Sequence, residues 1–130
     1  MTSGEDDSLS GVGNDLADVI SKPSLTSGPL GQRVNKWFTT EAFTTARTGT
    51  FGNVGRNILS GPATFNLDFS IQRLFTIKER MKLQFRAEFF NGLNHTLVNN
   101  PSTTVTSSNF GRITSARDPR ILQMALKLTF

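Results

Sequence analysis

Three stretches of this chain carry an apolar side chain on almost every second residue. From Phe65 to Ile77 the odd positions are Phe65, Leu67, Phe69, Ile71, Phe75 and Ile77, against Asn66, Asp68, Ser70, Gln72 and Thr76, with only Arg73 and Leu74 out of step. From Met81 to Leu93 the apolar set is Met81, Leu83, Phe85, Ala87, Phe89 and Leu93, against Lys82, Gln84, Arg86, Glu88 and Gly92, with Phe90 and Asn91 as exceptions. The third stretch, Arg120 to Phe130, sets Leu122, Met124, Leu126, Leu128 and Phe130 against Gln123, Lys127 and Thr129. Successive side chains of a strand point to opposite faces, so each stretch is a strand with one greasy face that must meet a protein core or lipid. The stretches are longer than the usual five or six residues. Eleven phenylalanines and no tyrosine fit a sheet that presents aromatics to something non-aqueous.

Turn chemistry orders these strands. Lys78-Glu79-Arg80 is of hairpin length, while His95 to Pro119 is rich in Asn, Ser, Thr, Gly and Pro. The pattern predicts an all-β fold, an antiparallel meander with strands over about 63–77, 81–95 and 120–130 in a C-terminal region 63–130. Region 1–62 is loop-rich, because its many glycines and prolines leave little room for regular structure. Two exceptions stand out there. Leu16, Val19 and Ile20 lie at helical spacing behind Asn14, which predicts a short helix over 14–21. Trp37 and Phe38 mark 34–43 as a short strand or a compact aromatic anchor.

Short turns at one end and longer loops at the other characterise outer-membrane barrels, whose strands need only roughly nine to eleven alternating residues to span. With Lys78 to Arg80 at the periplasmic end, the loop around Pro101 is extracellular and Phe130 returns to the periplasmic face. Three strands close no barrel, and unpaired edges in hydrocarbon cost several kcal/mol per backbone group. The chain therefore reads as a piece of a larger barrel.

On that reading Phe65, Leu67, Phe69, Ile71, Leu83, Phe85, Ala87 and Phe89 face lipid, together with the even row of the third strand. Asp68, Gln72, Lys82, Arg86, Glu88 and Lys127 face a watery lumen, where mixed charges are tolerable. In a dry core each would cost several kcal/mol unless paired. Arg73 is the awkward residue. On a lipid face it costs about 2 to 4 kcal/mol at the midplane and about 0 to 1 near an interface. Either its stem snorkels outward or a bulge at Arg73-Leu74 swaps the faces.

Composition narrows the alternatives. The chain has 14 Lys+Arg against 10 Asp+Glu, and Glu5, Asp6, Asp7, Asp15 and Asp18 precede the first base. The bases are scattered singly and lie on the parity opposite the aromatics, so a base-stacking nucleic-acid platform is not expected. Without cysteine there is neither a disulfide nor a thiolate metal site. His95, the single histidine, reads as a loop-rim residue, and no cofactor or metal is expected. No Gly-x-Ser-x-Gly elbow is present, so no catalytic residue is assigned and the chain is not expected to be an enzyme. Gly49, Gly52 and Gly55 mimic a phosphate cradle but read as a tight loop, and Asn94-His95-Thr96 is a sequon of little weight. The N-terminus has no basic region followed by an apolar one, so no signal peptide is visible.

Several blocks occur together in order: Gly49-Thr-Phe-Gly-Asn-Val-Gly-Arg-Asn57, Gly61-Pro62, Phe65-Asn-Leu-Asp-Phe-Ser70, Leu83-Gln-Phe-Arg-Ala-Glu-Phe-Phe-Asn91, Leu93-Asn-His95, Phe110-Gly-Arg-Ile-Thr-Ser-Ala-Arg117 and Pro119-Arg-Ile-Leu-Gln123. Over roughly residues 33 to 130 the chain resembles the C-terminal end of TonB-dependent outer-membrane receptors, most closely the Oar-like group that carries a carboxypeptidase-regulatory-like domain. The resemblance implies an outer-membrane location for the parent, with lipid and the remaining strands of a roughly twenty-two-stranded barrel as partners. It further implies that Phe130, Leu128, Leu126, Met124 and Leu122 form the signal read by the barrel-assembly machinery. Contact with TonB and transport would belong to parts of the parent outside this sequence. The competing expectation is a small soluble α+β binding domain whose sheet is covered by the N-terminal segment.

Overall fold

The computed structural model describes residues 1–130, which divide into two units. The first comprises Met1–Pro62 and Val98–Ser115, and the second Ala63–Leu97 and Ala116–Phe130.

The first unit has little regular structure. Strands β1 (Asp18–Val19) and β2 (Phe43–Thr44) pair antiparallel, Asp18 opposite Thr44 and Val19 opposite Phe43. A single turn of helix, α1 (Leu30–Arg33), follows Pro29, and a 3-10 turn spans Thr40–Ala42. Residues 14–21 form no helix. Asn14 sits at φ 68, whereas an N-cap residue needs extended backbone. The backbone groups of the segment find partners elsewhere, as when the Ile20 N–H donates to the Ala42 carbonyl at 2.9 Å. Two isolated turns of helix are marginal in water, and these long-range bonds win.

Of the two alternatives for 34–43, the aromatic anchor forms. Trp37, Phe38, Ala42, Phe43 and Val54 make a buried cluster. Phe38, Phe43 and Phe110 meet edge to face, with centroids 5.4 to 6.0 Å apart, the geometry aromatic quadrupoles favour. Trp37 donates its indole N–H to the Ser60 carbonyl at 3.0 Å, and the Arg33 guanidinium lies 3.9 Å from the Trp37 ring centroid. The glycine-rich run closes on the chain itself. Gly52, at φ 75, stands where a Cβ would collide with the Leu16 carbonyl, and Val54 donates to Ala17.

The acids of the opening segment act as loop staples. Asp6 accepts the amides of Gly11 and Ser10 at 2.8 and 3.0 Å, and Asp15 accepts that of Ser8 at 2.6 Å. The amide of Gly11, then that of Ser10, holds the Asp6 carboxyl below its ordinary value of 3.8. A depressed carboxylate contributes order that is present above its unfolded pKa and is lost as pH falls through the folded one. Asp6→Ala should therefore speed hydrogen exchange at Ser10 and Gly11 at neutral pH, and the wild-type protection there should fade only below about pH 3.8. Unchanged exchange in the variant would remove Asp6 as the staple.

The second unit is a three-stranded antiparallel sheet in the order β3 (Phe69–Lys78), β4 (Met81–Phe90), β5 (Ile121–Thr129). β3 begins later than the alternation suggested, although the Leu67 carbonyl still accepts the Gly92 amide at 2.8 Å. β4 ends at Phe90 rather than near 95. There Asn91 turns to φ 49, a left-handed conformation that ends pairing and that asparagine tolerates better than most residues. Pairing runs without interruption from Phe69 opposite Phe89 to Thr76 opposite Lys82, so no bulge lies at Arg73-Leu74. The register shifts instead between Thr76 and Lys78, leaving Ile77 as the extra residue and Lys78 opposite Met81.

Candidate membrane interface

Residues directly opposite each other in an antiparallel pair share a face, so the register decides which side chains form one surface. Across β3, β4 and β5 the first rows are Phe69–Phe89–Leu122 and Ile71–Ala87–Met124. The next two are Arg73–Phe85–Leu126 and Phe75–Leu83–Leu128. Eleven of these twelve side chains are apolar. The parity reversal of the third strand is what its register requires to join the same face.

The opposite face reads Ser70–Glu88–Gln123, Gln72–Arg86–Ala125, Leu74–Gln84–Lys127 and Thr76–Lys82–Thr129. Here Arg86 and Glu88 form an ion pair at 2.5 Å. One sheet therefore separates an apolar side from a polar, charged one.

Within its own unit the sheet has no second layer on either side. Every residue of β3 and β5 is exposed, Met124 by 64% and Leu126 by 68%, and Ala87 is the one buried side chain of the sheet. The order β3-β4-β5 also leaves one edge of β3 and one of β5 without a strand partner. The helix over 14–21 that would cover the sheet in the soluble α+β expectation does not form. Within the apolar face the Phe69 and Phe89 rings stack at 4.4 Å and 11°. Phe130 follows β5 and is 91% exposed.

Some expected site residues lie elsewhere. Phe65 and Leu67 precede β3 and are exposed outside the paired rows. Asp68 also precedes β3 and is tied down: it accepts the Asn91 amide at 2.8 Å and the Asn66 side-chain amide at 3.0 Å. Gln72, Lys82, Arg86, Glu88 and Lys127 do share the polar face.

Asn91 is the residue that alternation missed. Buried to 6% exposure, it donates to the His95 carbonyl at 2.9 Å and accepts the His95 amide at 3.0 Å. Gly92 beside it has no room for a Cβ, which would strike the Phe69 ring. The Asn91-Gly92 dipeptide is the local signal that marks the stop. His95 is thus held through its backbone, and no group of three or more His, Cys, Asp or Glu side chains is placed to hold a metal.

No helix is long and apolar enough to cross a membrane. No curated protein and no solved structure gives a significant match to the chain. The model of the outer membrane beta barrel domain matches residues 1–123, taking in the turn-rich first unit as well as most of the sheet. A two-faced, uncovered, antiparallel sheet and that match agree: the chain belongs to the outer membrane beta-barrel domain family and is a segment of an outer-membrane barrel.

Proposed function

We propose that this segment supplies three adjacent staves of a TonB-dependent receptor barrel of the Oar-like kind, a structural rather than catalytic role in a nutrient-uptake pore. The observation that carries the reading is the register, which gathers the apolar rows of all three strands on one uncovered face between two unpaired edges. In hydrocarbon an apolar row needs no protein cover, and an edge is tolerated only when the next strand pairs with it. Lipid is then the partner of the Phe69, Ile71, Phe85 and Met124 face, further strands of the parent are the partners of β3 and β5, and the Arg86–Glu88 face lines water. The sequence blocks from Gly49 to Gln123 support the receptor assignment, with TonB engaged by other parts of the parent.

The native chain has no cysteine, which makes single-cysteine labelling clean. In the assembled barrel, Ile71→Cys, Phe85→Cys and Met124→Cys should resist a membrane-impermeant maleimide, while Gln72→Cys, Gln84→Cys and Gln123→Cys react. Equal labelling of the two sets would refute the facing.

Leu122, Met124, Leu126 and Leu128, which form an apolar row on an edge strand open to a partner, would serve with Phe130 just beyond it as the assembly signal. Phe130→Ser in the parent should lower the amount of folded barrel in the outer membrane. Wild-type levels of heat-modifiable barrel would argue against that role.

A further inference from the structure

We propose that the turn end of the apolar face holds an anionic phospholipid headgroup between Arg73, Lys78 and Arg80. The inference rests on the lipid-facing reading of the sheet. Its basis is the placement of three cations at the turn end of the sheet. Arg73 lies on the apolar face opposite Phe85, and its guanidinium carbon stands 5.7 Å from the ring centroid of Phe75, the next residue of that face toward the turn. The arginine therefore leans along the strand toward the β3-β4 connection. Lys78 reaches the same face through the register shift: with Ile77 as the extra residue it stands opposite Met81, on the side of Leu83 and Phe85. Bulges commonly re-aim one side chain in this way. Arg80 belongs to the turn itself.

All three cations are exposed, and neither of the chain's ion pairs, Lys36–Glu41 and Arg86–Glu88, involves them. Glu79 is the single acid in this stretch. At the hydrocarbon boundary such cations cost little and attract anionic headgroups, each charge adding to the attraction. A phospholipid phosphate satisfies both parts of the site. Its charge meets the cations, and its acyl chains lie along the Phe75–Leu83–Leu128 row, which free phosphate cannot do. The headgroup must carry net negative charge, because a zwitterionic one brings its own cation.

The full chain can be floated with vesicles of phosphatidylcholine alone or of equimolar phosphatidylcholine and phosphatidylglycerol. Wild type should bind the anionic vesicles on the order of tenfold more tightly, as expected for a few cations at a charged surface. R73Q/K78Q/R80Q should lose that preference while still floating with phosphatidylcholine. R112Q/R117Q/R120Q, which removes as many charges elsewhere, should keep it. The charge-conserving R73K/R80K should also keep it, which separates lost charge from lost folding. Excess inorganic phosphate at matched ionic strength should not displace the chain. Equal binding of wild type to both vesicles, a preference that survives in R73Q/K78Q/R80Q, or displacement by inorganic phosphate would overturn the headgroup site and leave the sheet in lipid. A wild-type chain that floats with neither vesicle would likewise overturn the headgroup site, whereas the lipid-facing reading itself falls on equal cysteine labelling of the two faces in the assembled barrel.

Discussion

Met124→Lys should destabilise the assembled barrel by about 2–4 kcal/mol, whereas Gln123→Lys, one residue away, should change stability by less than about 0.5 kcal/mol. Met124 stands in a row with Ile71 and Ala87 on the apolar face, four residues beyond the β5 end of the polar loop and well inside the strand. A lysine there is far from either end of the strand, so its ammonium cannot easily reach water. Gln123 stands opposite Glu88 on the charged face, where a lysine gains a carboxylate neighbour. Urea midpoints of the two variants in lipid vesicles compare the faces directly. Equal losses would mean that β5 does not present Met124 to hydrocarbon, and the proposed orientation would fall with it.

Asn91→Ala should cost about 2–3 kcal/mol, from two lost side-chain hydrogen bonds and a left-handed backbone that alanine resists. The two bonds are those to the amide and carbonyl of His95, and the backbone strain follows from φ 49. Asn91→Gly, which keeps the backbone and loses only the bonds, should cost less. Amide exchange at Gly92 and His95 reads both effects, because the turn holds Gly92 against the Leu67 carbonyl. If alanine and glycine both leave those amides as protected as in wild type, Asn91 is not what stops β4.

These two sites show what could be seen in the sequence alone. Alternation is a local property with a fixed period, so the three long strands, their faces and the reversed parity around Met124 were legible without coordinates. The ends of the strands were not, because they depend on single backbone angles such as that of Asn91 and on the slip at Ile77. The first unit was least legible. Its bridges join Thr2 to Thr104 and Leu25 to Phe38, and its buried Ser3 receives the Thr106 hydroxyl at 2.9 Å. Such pairings bring together residues distant in sequence, and no periodicity announces them. Trp37 and Phe38 could be recognised as an anchor, but Phe110, which completes their edge-to-face trio, lies far along the chain.

The bare margins of β3 and β5 govern what becomes of a newly made copy on its way to the membrane. Each margin offers a ladder of free amides and carbonyls beside a greasy stripe, so two unescorted copies can zip together side by side and recruit a third. On the proposed reading, safe passage would require both margins to stay sheathed until neighbouring staves pair with them where lipid receives the stripe.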